Sequence, residues 1–209
     1  HFTPQAMLAS LKSEADQFPN VELLHQDDSY QLVFAGRSPT RPLSPKLRET
    51  EQRLTWMDEQ SIDQQIVGGW LDSFGYELSG EEGEAWSRFL NEFQMNGTYN
   101  NSRLTPLATV PLQDGKRAAK VLEEALAGGF KGTMIGTQPK GNEGNLDDPD
   151  LDPFWEAAND LGATIYLHPM FGCGDPRLLD YDMINAVGRG TDTTTAVARM
   201  LFAGHFLKY

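Results

Sequence analysis

Cysteine is nearly absent from this chain of 209 residues, and no apolar run in it is long enough to cross a membrane. The single cysteine, Cys173, excludes a disulfide framework and any cysteine-rich zinc site. A membrane-spanning helix needs roughly 20 consecutive apolar residues, which the sequence does not supply. Since no signal peptide is recognisable either, the simplest expected location is the cytoplasm.

Basic residues are also scarce, with 17 Lys and Arg against 30 Asp and Glu, so the net charge is −13. Such a charge disfavours nucleic acid and an anionic membrane surface as the main partner. It is compatible with a small anionic substrate, because a local pair of arginines can oppose the global field. The hydrophobic share of 39% is ordinary for a globular protein of a length that can bury a sizeable core.

Several nucleotide and hydrolase motifs are missing. The sequence contains no H-E-x-x-H, no P-loop and no complete G-x-G-x-x-G. It also lacks G-x-S-x-G, which disfavours a serine hydrolase.

Apolar segments of strand length alternate along the chain with segments of helical periodicity. The predicted strands lie within 62–70, 104–112, 130–137 and 163–170, and the predicted helices begin near 45, 81, 116, 152 and 191. This alternation predicts an α/β fold with a parallel sheet covered by helices. A doubly wound sheet and an eight-stranded barrel both satisfy the pattern. Residues from about 5 to 44 fit no repeating unit, and we expect an irregular insertion there.

His168 ends the clearest strand, in the segment Ala-Thr-Ile-Tyr-Leu-His-Pro-Met. The carboxyl ends of strands carry the chemistry in parallel α/β folds, and an imidazole there suits metal ligation or acid–base catalysis. The alternative is a hydrogen-bonded core histidine. On the bare sequence we interpret His1 first as a tag remnant or a frayed terminus, and we expect His25 and His205 to be surface or packing residues.

Arg37 and Arg41 flank a proline-containing segment, Ser-Pro-Thr. Two guanidinium groups on a stiffened loop can clamp a carboxylate through paired hydrogen bonds. The alternative is a pair of solvated surface charges.

Several segments together resemble the amidohydrolase-related metal enzymes, and within them the branch of the aminocarboxymuconate-semialdehyde decarboxylase type. The segments that carry the resemblance are 103–111, 130–137, 151–158, 165–169 and 193–206. The resemblance extends over most of the chain from about Pro45, and it includes His1 to Pro4.

The resemblance implies a (β/α)8 barrel with one divalent metal ion, zinc foremost and manganese as the alternative, at its carboxyl face. It implies that the chain is one incomplete barrel domain over 1–209, covering roughly the first half to two-thirds of the barrel. His1 resembles the second histidine of the family's His-x-His pair, and His168 resembles a later metal ligand. Arg37 or Arg41 lies where relatives hold a substrate carboxylate, and Phe171 stands where relatives often carry tryptophan.

The family's proton-shuttling histidine and its last aspartate ligand have no counterpart in these residues. We therefore expect the 209 residues to belong to a longer polypeptide, with the catalytic histidine beyond Tyr209. We also expect the segment expressed alone to aggregate or to stay partly molten, because four strands cannot close a barrel.

The activity that the resemblance implies is metal-dependent decarboxylation of a small unsaturated or aromatic carboxylic acid by a homodimer. A metal-activated water or direct chelation of the substrate would serve that reaction. The same ligands would serve a metal-dependent hydrolase of the amidohydrolase type, which is one alternative. A non-catalytic fragment or an inactive binding relative is the other.

Overall fold

The computed structural model describes residues 1–141, 143–170 and 175–209. The helices are α1 (Gln5–Ser13), α2 (Thr50–Glu59), α3 (Gly80–Thr98), α4 (Gly115–Ala127), α5 (Asp152–Asp160), α6 (Arg189–Phe202) and α7 (His205–Lys208). The strands are β1 (Val21–Gln26), β2 (Ser29–Phe34), β3 (Gln65–Val67), β4 (Leu104–Pro106), β5 (Gly132–Gly136) and β6 (Thr164–His168). The chain is thus an α/β protein, as predicted.

Four strands run parallel in chain order. β3 pairs with β4 and β5 pairs with β6, and a parallel bridge between Ala108 and Thr133 connects the two pairs. The first residues extend the array, because the Phe2 amide donates to the Gly68 carbonyl at 2.9 Å. The order across the array is therefore the amino-terminal segment, β3, β4, β5 and β6.

This parallel array is strongly curved. Neighbouring strands lie about 4.8 Å apart, so in a flat sheet the amino-terminal segment and β6 would be separated by roughly 19 Å. The rings of His1 and His168, one from each of these segments, instead have centroids 4.8 Å apart. The array therefore bends until its first and last members face each other.

The helices between the strands formed where local periodicity predicted them. α3 begins with a capping box in which the Ser79 hydroxyl accepts from the Glu82 amide, and the Glu82 carboxylate accepts from the Ser79 amide. α4 is capped by Asp114, which accepts from the Arg117 amide at 3.1 Å. The core between the sheet and α4, α5 and α6 contains a large set of buried apolar side chains, among them Val110, Leu122, Ile135, Phe154 and Met200.

Residues 5–44 are more regular than the sequence indicated. They contain α1 and an antiparallel hairpin of β1 and β2, in which Val21 pairs with Phe34. A second apolar cluster joins this segment to α3, where Leu8, Leu32 and Trp86 are all buried. Local periodicity missed the hairpin because its outer positions mix polar and apolar residues, and only its inner end is buried.

Four predicted elements differ in extent. The strands predicted within 62–70 and 104–112 shrink to three residues each, and Pro106 ends the second. The helix expected from Ser44 starts as a 3-10 turn over Pro45–Leu47, and α2 begins only at Thr50. The last helix is split at Gly204, whose φ of 72° belongs to the left-handed region.

Helical spacing predicts that Val197, Met200, Leu201 and Leu207 share one apolar face of the last helix, and this face is only partly buried. Met200 packs in the core, whereas Leu201 and Leu207 are exposed, Leu207 by 94%. Ala196 is buried beside Met200, so the buried stripe is displaced from the predicted one. Within the three described ranges, no helix is both long and apolar enough to cross a membrane.

Candidate functional site

His168 is the last residue of β6, and its ring points across the curved array. Its Nδ1 lies 2.8 Å from the Pro169 carbonyl oxygen, and its Nε2 lies 3.1 Å from Nε2 of His1. A carbonyl oxygen can only accept, so Nδ1 carries the proton and donates to Pro169. The Nε2 atom of His168 therefore presents a lone pair to His1.

His1 is held from the opposite side of the array. Its Nδ1 lies 3.0 Å from the carbonyl oxygen of Gly69, just past the end of β3. The Arg53 guanidinium also donates to the His1 backbone carbonyl, and Phe2 is buried beneath. By the same argument as for His168, the Gly69 carbonyl fixes the proton on Nδ1 and leaves a lone pair on Nε2.

The two Nε2 atoms fit a single divalent ion. Two lone pairs 3.1 Å apart repel each other unless a proton or a cation lies between them. Imidazole nitrogens bind zinc at about 2.0–2.1 Å, so two ligands of one ion can be up to roughly 4.2 Å apart. Among the described residues no cluster of three or more His, Cys, Asp or Glu side chains could hold a metal. The geometry thus offers two nitrogen ligands, and their role as metal ligands stays a prediction.

The surroundings of His168 favour its neutral form. Burial is the main cause that lowers the pKa of His168, and the positive charge of Arg189 acts in the same direction. The hydrogen bond to Pro169 and the negative charge of Asp72 oppose this shift. A histidine with a pKa below its ordinary value is neutral at pH 7, and the neutral ring is the form that binds a metal ion.

A cleft of about 370 Å³ opens beside the end of β6. Arg37, Arg41, Asp72 and Met170 all contribute to its lining. The structure therefore brings both predicted arginines to one cleft, and Met170 places that cleft two residues beyond His168. Their contact with a substrate carboxylate stays a prediction.

The two arginines differ in their surroundings. Arg41 donates from Nε and Nη2 to the two carboxylate oxygens of Asp72, each at 2.9 Å. Arg37 is exposed, and in the described part of the chain its side chain forms no ion pair. Phe171, the third predicted substrate-binding residue, lies outside the described residues.

Sequence reasoning missed two carboxylates beside the site. Asp72 follows β3 among mostly apolar residues, Asp192 lies in the last helix, and neither belongs to a recognisable motif. Asp192 is buried and accepts from the Met170 amide at 2.8 Å. The burial of a charged side chain would have identified it as a candidate, but burial is known only once the helices and strands are packed together.

The other two histidines lie away from this site. His25 is exposed and stacks on Tyr30 in the hairpin, with ring centroids 4.2 Å apart. His205 is buried against Trp155 and Tyr209. Both are surface or packing residues, as predicted.

Comparison with known proteins identifies similar sequences and folds. The sequence profile of the family described as Amidohydrolase matches residues 83–209, which is more than half of the chain. The 2-amino-3-carboxymuconate-6-semialdehyde decarboxylase of Dictyostelium discoideum is 26% identical over 168 residues, 79% of this chain and 46% of that protein.

Solved structures share the fold. The 5-carboxyvanillate decarboxylase of Sphingomonas paucimobilis superimposes with a TM-score of 0.71 at 23% identity, over 100% of this chain and 62% of that one. The 5-carboxyvanillate decarboxylase of Novosphingobium aromaticivorans, complexed with manganese and 4-hydroxy-3-methoxy-5-nitrobenzoic acid, gives 0.71 at 24% identity over 78% of this chain and 48% of that one. The chain thus spans about half the length of the curated relative, and between about half and three fifths of these structures.

Proposed function

Because the chain belongs to the amidohydrolase family, we propose that it is a metal-dependent decarboxylase of a small aromatic or unsaturated carboxylic acid. The observation that carries the proposal is the pair of Nε2 atoms of His1 and His168, 3.1 Å apart beside a cleft lined by Arg37 and Arg41. The names of the relatives support the same reaction, since the curated relative and both solved structures are decarboxylases.

His1 and His168 would hold the divalent ion through their Nε2 atoms. When bound, the ion would polarise a substrate oxygen and stabilise the negative charge that remains as CO2 departs. The carbon–carbon bond to the carboxylate breaks, its electron pair stays on the substrate carbon, and a proton replaces the CO2.

The cleft arginines would bind and orient the substrate. A guanidinium group donates two parallel hydrogen bonds to a carboxylate, which fixes the direction as well as the position of the acid. Arg37 is the stronger candidate, because the described contacts of Arg41 already include both oxygens of Asp72. In a chain of charge −13, such a local cation also offsets the repulsion of an anionic substrate.

We further propose that the fold is a (β/α)8 barrel, with 1–209 as one barrel domain and 5–44 as an insertion into it. The curvature of the parallel array supports this, because adjacent strands of a closed barrel must turn steadily about a common axis. A cytoplasmic location and a homodimer belong to the same proposal. Light scattering of the purified protein tests the dimer.

Zinc and manganese are both candidates for the ion. Imidazole is a good ligand of zinc, and the Novosphingobium enzyme was crystallised with manganese. Metal analysis of the purified protein, followed by reconstitution of the metal-free protein with each ion, would decide between them.

Measurement of CO2 release tests the reaction. The purified protein, loaded with zinc or manganese, is incubated with 5-carboxyvanillate, with 2-amino-3-carboxymuconate semialdehyde, and with amide and ester analogues of aromatic acids. We expect CO2 from at least one acid and none after metal removal. Hydrolysis of an amide or ester without CO2 release would favour the hydrolase alternative. Binding of an acid without turnover would favour an inactive relative.

A further inference from the structure

We propose that Asp192 is a positioning residue that acts on His168 through the single peptide unit joining Pro169 to Met170. The N–H of this peptide donates to Oδ2 of Asp192 at 2.8 Å. The C=O of the same peptide accepts from Nδ1 of His168 at 2.8 Å. Carboxylate, peptide and imidazole thus form one hydrogen-bonded chain, and its far end is the Nε2 atom that faces His1.

Asp192 is well fixed for this role. The residue is 9% exposed, and Oδ2 also accepts from the Thr137 hydroxyl while Oδ1 accepts from Nε2 of Gln138 at 3.0 Å. Thr137 and Gln138 directly follow β5, and Met170 follows β6. One carboxylate on α6 therefore fastens the carboxyl ends of both strands.

Met170 supplies the first backbone N–H donor after His168. Pro169 has no N–H, so the backbone amide of Met170 is the first donor after His168 that can be anchored. Anchoring that amide also sets the direction of the Pro169 carbonyl, because both groups lie in one planar peptide. The orientation of the peptide in turn fixes the oxygen to which the His168 ring donates.

A carboxylate at the N–H end of a peptide polarises it and makes its carbonyl oxygen a stronger acceptor. A stronger acceptor at Pro169 favours the His168 tautomer with the proton on Nδ1. That tautomer leaves the lone pair on Nε2 and raises its basicity toward a cation. Metal-binding histidines commonly donate their other N–H to a carboxylate or a backbone carbonyl, and here the two are combined in series.

The test replaces Asp192 by asparagine, which has nearly the same shape and no charge. We first expect long-range 1H–15N spectra of the metal-free wild-type protein at pH 8 to show His168 with its proton on Nδ1, assigned by comparison with His168→Gln. In Asp192→Asn we expect a mixture of tautomers. The dissociation constant for Mn²⁺, measured by calorimetry, should rise about 10- to 100-fold, the usual cost of losing such an outer contact.

Two matched variants separate this effect from a loss of packing. Gln138→Ala removes a donor to the other oxygen of Asp192 and leaves the chain to His168 intact. Glu84→Gln neutralises another buried carboxylate, which binds Arg88, Arg117 and Lys120 between α3 and α4. We expect both to keep the wild-type tautomer of His168 and to change Mn²⁺ affinity by less than about twofold.

The proposal is overturned if Asp192→Asn keeps both the wild-type tautomer and the wild-type Mn²⁺ affinity, or if either control loses affinity equally. Should Asp192→Asn not fold, the wild-type spectrum alone decides, because a proton on Nε2 of His168 contradicts the chain of hydrogen bonds. The inference rests on the proposed function only in assuming that His168 binds a metal ion. A protein with the expected tautomer that releases no CO2 would refute the decarboxylase and leave the role of Asp192 intact.

Discussion

Asp72 binds both ends of the Arg41 guanidinium fork, through Oδ2 to Nε and through Oδ1 to Nη2, each at 2.9 Å. The Asp72 side chain is only 9% exposed, whereas that of Arg41 is 54% exposed. The pair therefore gives a buried carboxylate its partner, and it fixes the direction of Arg41 at the edge of the cleft. This relationship separates the two arginines that the sequence could not distinguish.

We predict that Arg41→Ala destabilises the protein, whereas Arg37→Ala does not. Removal of Arg41 leaves the Asp72 carboxylate buried without its paired donors, at a cost of about 1–3 kcal/mol in the free energy of unfolding. Urea unfolding measures the effect. Adding Asp72→Asn to Arg41→Ala should restore most of the loss, because a neutral amide is cheaper to bury. Equal stabilities of the two arginine variants would contradict the assignment.

For substrate binding we expect Arg37, rather than Arg41, to have the larger effect. We predict that Arg37→Ala raises KM for the carboxylic acid about tenfold or more with a smaller change in kcat, since a contact made equally in substrate and transition state affects binding. Arg37→Lys keeps the charge but not the forked geometry, and it should recover only part of the affinity. Unchanged kinetics in both variants would remove Arg37 from the substrate site.

Metal content should depend on His168. We predict that His168→Ala lowers the bound zinc or manganese at least tenfold, measured by atomic emission after dialysis, because one of two facing nitrogens is lost. His25→Ala is the matched control, since His25 is exposed on the hairpin and stacks on Tyr30. Wild-type metal content in His168→Ala would show that the ion is held elsewhere.

His205 should make stability depend on pH. Burial is the main cause that lowers the pKa of His205; the nearby Lys208 acts in the same direction, and Asp147 and Asp152 oppose it. The unfolded chain, with an ordinary histidine pKa of about 6.5, therefore takes up a proton at a higher pH than the folded protein does. The contribution of His205 is unaffected above about pH 7 and turns unfavourable as the pH falls through 6.5.

The measurement is the free energy of unfolding at pH 7.5 and 5.5. We predict that the wild-type protein loses stability over this interval and that His205→Phe loses less, because phenylalanine can occupy the cage of Trp155 and Tyr209 without titrating. A steeper dependence in His205→Phe would reverse the direction inferred for His205.

The sequence predicted those elements whose position is determined by a local pattern of apolar residues. Apolar residues recur at helical spacing in α3 and α4, and both helices begin within one residue of their predicted starts. The end of β6 at His168 was visible because a run of apolar residues stops at His-Pro. The family resemblance was confirmed by the profile over residues 83–209, since it rests on several such segments at once.

Local sequence patterns did not predict the contacts between residues that are far apart in the chain. Asp72 accepts from Arg41 at a sequence separation of 31 residues, and Asp192 accepts from the Met170 amide at a separation of 22. No periodic pattern in the sequence predicts either contact. The hairpin of β1 and β2 was missed for a related reason, because its strands are buried on one end only. The sequence therefore predicted the histidines and arginines of the candidate site, but not the carboxylates Asp72 and Asp192 that lie beside them.

The last prediction concerns Gly132, where the backbones of β5 and β6 lie close together. A Cβ atom added at Gly132 would lie 1.9 Å from the carbonyl oxygen of Thr164, a backbone atom of the paired strand. Gly132→Ala must therefore push the two strands apart, which we expect to cost about 1–3 kcal/mol or more. Because β6 carries His168, the same change should also weaken metal binding. Gly190→Ala in α6 is the control, since its Cβ would meet nothing within 4 Å. This variant should gain up to about 1 kcal/mol from helix propensity.

Thermal unfolding and Mn²⁺ titration of both variants measure the difference in stability and in metal binding. A Gly132→Ala protein as stable as Gly190→Ala would show that the two strands do not pair as described.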